Sequence, residues 1–149
     1  MTREKARAAA LLAAPEEVEA QFYEALQQGD IARLMAVWAD DDEVVCVHPG
    51  GPRLIGAGAI RASFEAIFAN GAIPVQPDKV HRVHSLSCAV HHLLERVAVT
   101  GADGPGTAWV VATNVYLKTA LGWRLVAHHA SAGSEHEPLD IGEPPSTLH

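Results

Sequence analysis

The chain has 149 residues, the size of one ordinary domain and enough to bury a core. Apolar residues make up 48% and charged residues 19%, which excludes a disordered chain, and no run reaches the roughly 18 apolar residues of a membrane helix. The formal net charge is -7 and the basic residues are scattered, so a soluble protein is expected and nucleic acid is an improbable partner.

The opening MTREKARAAALLAAPEE starts positive, but the apolar patch at residues 8–14 is short and mostly alanine, a poor signal-peptide core. Residues 1–14 are therefore expected to form a helical arm, and the protein to be cytoplasmic. Pro15 suits a first helical position, Glu16 and Glu17 favour the positive end of a helix dipole, and Val18, Phe22, Ala25 and Leu26 then recur at helical spacing. Gly29 can end that helix in the left-handed conformation. Asp30 can cap a second helix with the apolar face Ile31, Leu34, Met35 and Trp38. Asp40, Asp41 and Asp42 fit a solvated helix end better than a metal site. Residues 43–48, EVVCVH, form a short strand with Val44, Cys46 and His48 on one face, stopped by the Pro-Gly-Gly-Pro at 49–52.

A second short strand is expected over 53–56. A third helix follows Gly58, with Ile60, Phe64, Ile67 and Phe68 as its buried stripe and Asn70-Gly71 as its stop. The Gly-Ala-Gly at its start lacks the third glycine and the βαβ context of a dinucleotide loop. Residues 79–100 support two strands with a break between Ser85 and His92, and residues 101–106 a loop. Residues 107–117 and 123–131, rich in Val, Thr, Trp and Tyr, form a hairpin about the turn 119–122. On a strict two-residue repeat Trp123, Leu125, Ala127, His129 and Ser131 share one face, which puts His129 at the end of an apolar stripe. Residues 132–149, with three prolines and four acids, are expected to be an extended or disordered tail.

The element order ααββαββββ predicts an α+β domain: a strongly curved antiparallel sheet of about six strands wrapped on three helices as a cone, with a cavity inside. A sheet with one face covered by helices leaves the other partly apolar, which points to a homodimer through that face.

Taken together, FYEALQQGDIARLMAVWADDDEVVCVHPGG, GAGAIRASFEAIF and ATNVYLKTALGWRLVAHHAS resemble the SnoaL-like branch of the nuclear transport factor 2-like superfamily, over residues 15–131. The resemblance implies a cone-shaped, usually dimeric fold that hosts isomerases, cyclases, dehydratases, hydrolases and non-catalytic binders. Steroid isomerases of that superfamily place a carboxylate base just before the proline ending the first strand. Here that residue is His48, a competent base near neutral pH. Their phenolic donor position falls on Phe22, with Tyr23 one residue off and expected to point elsewhere, and their acidic donor falls near Ala112, so steroid isomerisation is disfavoured. Similar polyketide cyclases need a base and one donor. That implies His48, Asn114 and His129 as base, amide donor and acid, with Trp38, Phe64 and Trp109 as apolar walls around a small apolar or amphipathic ligand.

Two alternatives stay open beside that chemistry. His48 and His129 can be hydrogen-bonded core or rim histidines with Asn114 satisfying a strand end, and the domain can be a ligand carrier or interaction module without catalysis. No cofactor is expected. The adjacent pairs His91-His92 and His128-His129 point to opposite faces and cannot chelate one ion, which leaves only cross-strand groupings as a route to a metal. Cys46, two residues before His48, has no oxyanion site to accompany it, and neither Cys46 nor Cys88 implies a disulfide. The proposed site requires His48 and His129 to open into the same hollow.

Overall fold

A computed structural model describes residues 12–143, so most of the expected N-terminal arm and the last six residues lie outside the described residues. Among the described residues three helices, α1 (Pro15–Gln28), α2 (Ile31–Ala36) and α3 (Ala57–Phe68), accompany six strands. The strands are β1 (Val45–Val47), β2 (Arg53–Ile55), β3 (Val75–His84), β4 (Cys88–Gly101), β5 (Gly104–Thr119) and β6 (Gly122–Ala130). They form one open sheet in the order β2-β1-β6-β5-β4-β3. None of the described helices is long and apolar enough to cross a membrane.

Local sequence explains most boundaries. Gly29 closes α1 at φ +65°, its N–H bonding back to the carbonyls of Ala25 and Leu26, and the Asp30 carboxylate accepts from the Arg33 N–H at 3.0 Å to start α2. The break between β3 and β4 falls at residues 85–87, where the Ser85 hydroxyl accepts from the Cys88 N–H at 3.1 Å. Residues 101–106 are not a loop. The chain turns at Ala102-Asp103 alone, with Gly104 at φ +101°, and β4 and β5 run on to 14 and 16 residues.

The sheet is mixed rather than wholly antiparallel, because β1 pairs with β6 in parallel, Cys46 opposite His128. Hairpins force antiparallel pairing only between chain neighbours, and β1 meets β6 after the chain has passed through α3 and the whole β3–β6 meander. The sheet's inner face packs on α1 and α3. Phe22 lies edge-on to Tyr23, Trp38 and Phe64 with ring centroids 5.1, 6.4 and 6.5 Å apart, and Val18, Ile60, Leu93, Tyr116 and Leu125 fill the space around them.

One irregularity matters most for function. Val115 pairs with Ala127 but Tyr116 pairs with Leu125, so Val126 is an extra residue in β6. Such a bulge shifts the inside–outside alternation by one for everything beyond it. Past β6, residues 131–143 form no helix or strand beyond one isolated bridge at Ser134. Ser134 exchanges two backbone hydrogen bonds with Trp109, and Glu137 pairs with Lys79, while Leu139 and Ile141 are exposed.

Candidate functional site

The bulge at Val126 decides which histidine enters the cone. Leu125, His128 and Ala130 are buried, whereas His129 is exposed. His129 pairs with Thr113 and lines a shallow groove of about 430 Å³ on the outer face with Val111, Val115, Ala127 and Ser131. The expectation that His48 and His129 share a hollow is therefore corrected. His48 follows Cys46 on the inner side and His129 lies on the other side of the sheet. Trp109 has the same parity as Val111 and Thr113 and is likewise no wall of the cone.

The other expected residues do converge. Phe64 is buried, with the half-buried His48 edge-on to it at 4.7 Å and the His48 Nε2 2.8 Å from the Ser63 hydroxyl. Burial lowers the pKa of His48, so it is neutral near pH 7. Trp38 is buried against Phe22. Asn114 is fully buried, as a registered partner of His128.

Around Asn114 runs a connected polar chain. The His128 Nδ1–H donates to Asn114 Oδ1 at 2.5 Å, Asn114 Nδ2 donates to the Tyr23 hydroxyl at 2.9 Å, and that hydroxyl donates to Glu95 Oε2 at 2.8 Å. These bonds assign the His128 tautomer and leave its Nε2 a bare acceptor, 3.9 Å from Glu95 Oε2. All four residues are at most 6% exposed.

Burial drives their electrostatics. Desolvation raises the Glu95 carboxyl from 4.5 to about 7, against the phenol bond that pulls it down. Desolvation pushes His128 down to about 3, with His48 and His129 adding to the effect, and holds Tyr23 well above its ordinary value. Near neutral pH the mobile proton of this group therefore belongs to Glu95, with His128 neutral beside it. Phe22 packs on the His128 ring at 5.1 Å, Phe64 packs on Phe22, and His48 packs on Phe64. A larger cleft of about 650 Å³ opens elsewhere, lined in part by Met35, Trp38, Asp40, Arg61, Leu121 and Arg124.

Residues 16–135 match the model of a SnoaL-like domain, most of the chain. The chain belongs to the SnoaL-like family. No protein of curated function matches it. Among solved structures, this SnoaL-like domain is similar to a Thiobacillus denitrificans protein named as a calcium/calmodulin-dependent protein kinase type II association domain. The two are 35% identical over 81% of this chain and 96% of that one, with a TM-score of 0.72. A Streptomyces avermitilis protein named as a dehydratase of the NTF2-like family is 33% identical over 77% of this chain and 90% of its own, with a TM-score of 0.69. A CaMKII hub from S. rosetta, 23% identical over 82% of this chain and 98% of that one at a TM-score of 0.64, shares the fold.

Tyr23, Glu95 and His128 are the residues of this SnoaL-like domain that sequence reasoning missed. Tyr23 does not point away from the interior: it is buried one turn after Glu19, on the side of α1 that meets the sheet. Glu95 shares its strand face with Ala89, His91 and Leu93, but β4 is apolar on both faces at Leu93-Leu94, so alternation gives no inside. A Glu on the stripe of Val18, Phe22 and Leu26 was the available signal for a polar interior, and Glu19 is that residue. Cys46 is a buried thiol pushed up to about 12, which rules it out as a nucleophile near neutral pH.

Proposed function

We propose that this SnoaL-like domain takes a small enolisable carbonyl compound into the cone and moves a proton on it, as an isomerase, cyclase or dehydratase does. Glu95 is the acid/base group, Tyr23 and Asn114 orient it, and His48 stands at the lip. The observation that carries this reading is a buried carboxyl whose pKa burial raises to about 7, set in a connected hydrogen-bonded polar chain. A base matched to the working pH is what proton abstraction requires, and buried carboxyls so tuned concentrate at reactive sites. In its ionised form Glu95 takes the proton α to the carbonyl, the electron pair moves to the carbonyl oxygen, and the phenol of Tyr23, released by the newly protonated carboxyl, becomes the donor for that oxygen. Entry of the compound requires Phe22, Phe64 and His48, packed between His128 and the lip, to move aside. The likeness to a protein named as a dehydratase supports the reading.

Exchange from D2O into a panel of enolisable ketones and β-hydroxy carbonyl compounds, followed by proton NMR, tests it. Exchange catalysed by the wild type and reduced at least about 100-fold in Glu95→Gln is expected. No catalysed exchange across the panel, or equal exchange in the variant, would overturn the proposal.

A second activity, self-association, is favoured by the outer sheet face. Val90 and Leu94 of β4, Val111 and Val115 of β5 and Ala127 of β6 lie on that face, and the likeness to a protein named as an association domain points the same way. Light scattering is expected to give at least a dimer, and Val115→Lys a monomer. A monomeric wild type at micromolar concentration rejects this reading.

A further inference from the structure

At the start of α1, away from Glu95 and His128, a second polar group lies between the helix and the β3–β4 hairpin. His84 ends β3, two residues beyond Arg82, and His91, the strand partner of Arg82, lies near the start of β4. Their imidazoles are nearly parallel, 12° apart with centroids at 5.4 Å, and their Nε2 atoms approach to 3.2 Å. A Glu16 carboxylate oxygen lies 3.2 Å from the His84 Nε2, and ligand-type atoms of all three residues fall within 4.8 Å of one another. Three features separate this group from a chance surface cluster.

The first is spacing. An ion bonded tetrahedrally at about 2.0–2.1 Å spaces its ligand atoms about 3.3 Å apart, close to both 3.2 Å separations. The second is orientation. The His91 Nδ1–H donates to Glu19 Oε2 at 2.5 Å, and Arg82 lies 3.5 Å from the other Glu19 oxygen, so Glu19 fixes the tautomer and leaves the His91 Nε2 unprotonated, its lone pair facing the His84 Nε2. A carboxylate behind a metal-binding imidazole is the recurring outer-shell arrangement that aims the ring and raises its basicity. The third is burial. His91 is fully buried and its ring is pinned edge-on to Tyr116 at 4.8 Å, whereas His84 and Glu16 are exposed, so the group has one rigid ligand inside and two reachable ones outside.

We propose that His84, His91 and Glu16 bind one first-row divalent cation, with zinc the best match to two imidazoles and a carboxylate, and with the remaining coordination position open to water. Glu19 is the positioning residue. The site clamps α1 to the β3–β4 hairpin and is independent of the acid–base reading of Glu95.

The probe is Zn²⁺ alone, titrated calorimetrically into untagged, chelator-treated full-length protein, with Co²⁺ absorption as a second readout of coordination. One equivalent is expected to bind, to raise the melting temperature and to give a tetrahedral Co²⁺ spectrum. His84→Ala and Glu16→Gln, both at exposed positions that the fold tolerates, should each weaken binding at least tenfold, while His48→Ala leaves it unchanged. Glu19→Gln should weaken it about 10–100-fold with the stoichiometry kept. Absence of a saturating equivalent, or zinc binding in His84→Ala and Glu16→Gln equal to wild type, overturns the proposal and leaves His84 and His91 as a hydrogen-bonded pair.

Discussion

Replacing Glu95 by Gln keeps the shape of the side chain and its acceptor for Tyr23 but removes the titrating proton. In the unfolded chain the carboxyl titrates at its ordinary 4.5, and in the folded protein at about 7. The folded state therefore holds the proton more tightly by about 3 kcal/mol. The sign follows from the upward direction. The contribution of Glu95 to stability is fully present below pH 4.5, declines as the pH rises, and is lost once the pH passes about 7. Glu95→Gln cannot ionise and should escape that loss. The variant should match the wild type near pH 4.5 and exceed it by about 3 kcal/mol at pH 8, roughly 10 °C in melting temperature for a domain of this size. Unfolding by urea and heat, monitored by circular dichroism at one protein concentration from pH 4.5 to 8.5, measures the difference. His128, depressed to about 3, runs the other way, since its contribution is present above pH 6.5 and lost as the pH falls. It is common to both proteins and cancels to first order. A difference constant within about 0.5 kcal/mol over the range would show that Glu95 ionises freely, and the acid–base assignment would go with it.

Tyr23→Phe strips Glu95 and Asn114 of a shared partner and should cost about 1–3 kcal/mol. It should also move the Glu95 titration further up, read by carbon NMR, because the phenol bond holds that pKa down; an unchanged or lower value would contradict the network. At Gly122, φ +109°, an added Cβ would lie 2.6 Å from the Leu12 carbonyl oxygen, so Gly122→Ala should destabilise by roughly 2 kcal/mol or more in thermal unfolding. Gly58→Ala on α3, where nothing stands within 4 Å, should be neutral or stabilise by up to about 1 kcal/mol. A thiol reagent at pH 8 should modify only the half-buried Cys88 in the native protein and both cysteines after unfolding; two fast thiols in the native state would count against the burial of Cys46.

The helices and most of the sheet were legible because their signals are local. Pro15, Gly29 and Asp30 punctuate the helices through their own backbone chemistry, and Val- and Thr-rich runs declare the strands. The parallel β1–β6 pair was not legible, since it joins segments about 80 residues apart and no short-range pattern records which strand comes to lie beside β1. The site failed at one residue for a different reason. Alternation from Trp123 holds through Leu125, and nothing about Val126, an ordinary strand residue, marks it as the one left unpaired. His48, Phe64, Trp38 and Asn114 lie on the inner side; His129 and Trp109 do not. The Glu16–His84–His91 group escaped because adjacent histidines were weighed as pairs, whereas the imidazoles that meet stand seven residues apart across a tight turn.

The doublet at 128–129 gives the bulge a further meaning. Were β6 to slip by one position against β5, a second imidazole would be presented to Asn114 in place of the first, so the interior would keep a nitrogen base in either alignment. The choice between the alignments then falls on residues whose neighbours differ in kind, because the slip would bring Arg124 to the place of Trp123 and Ser131 to that of Ala130. Sequences that lose the outward histidine should therefore depend less on Trp123 and Ala130 for their alignment than this one does.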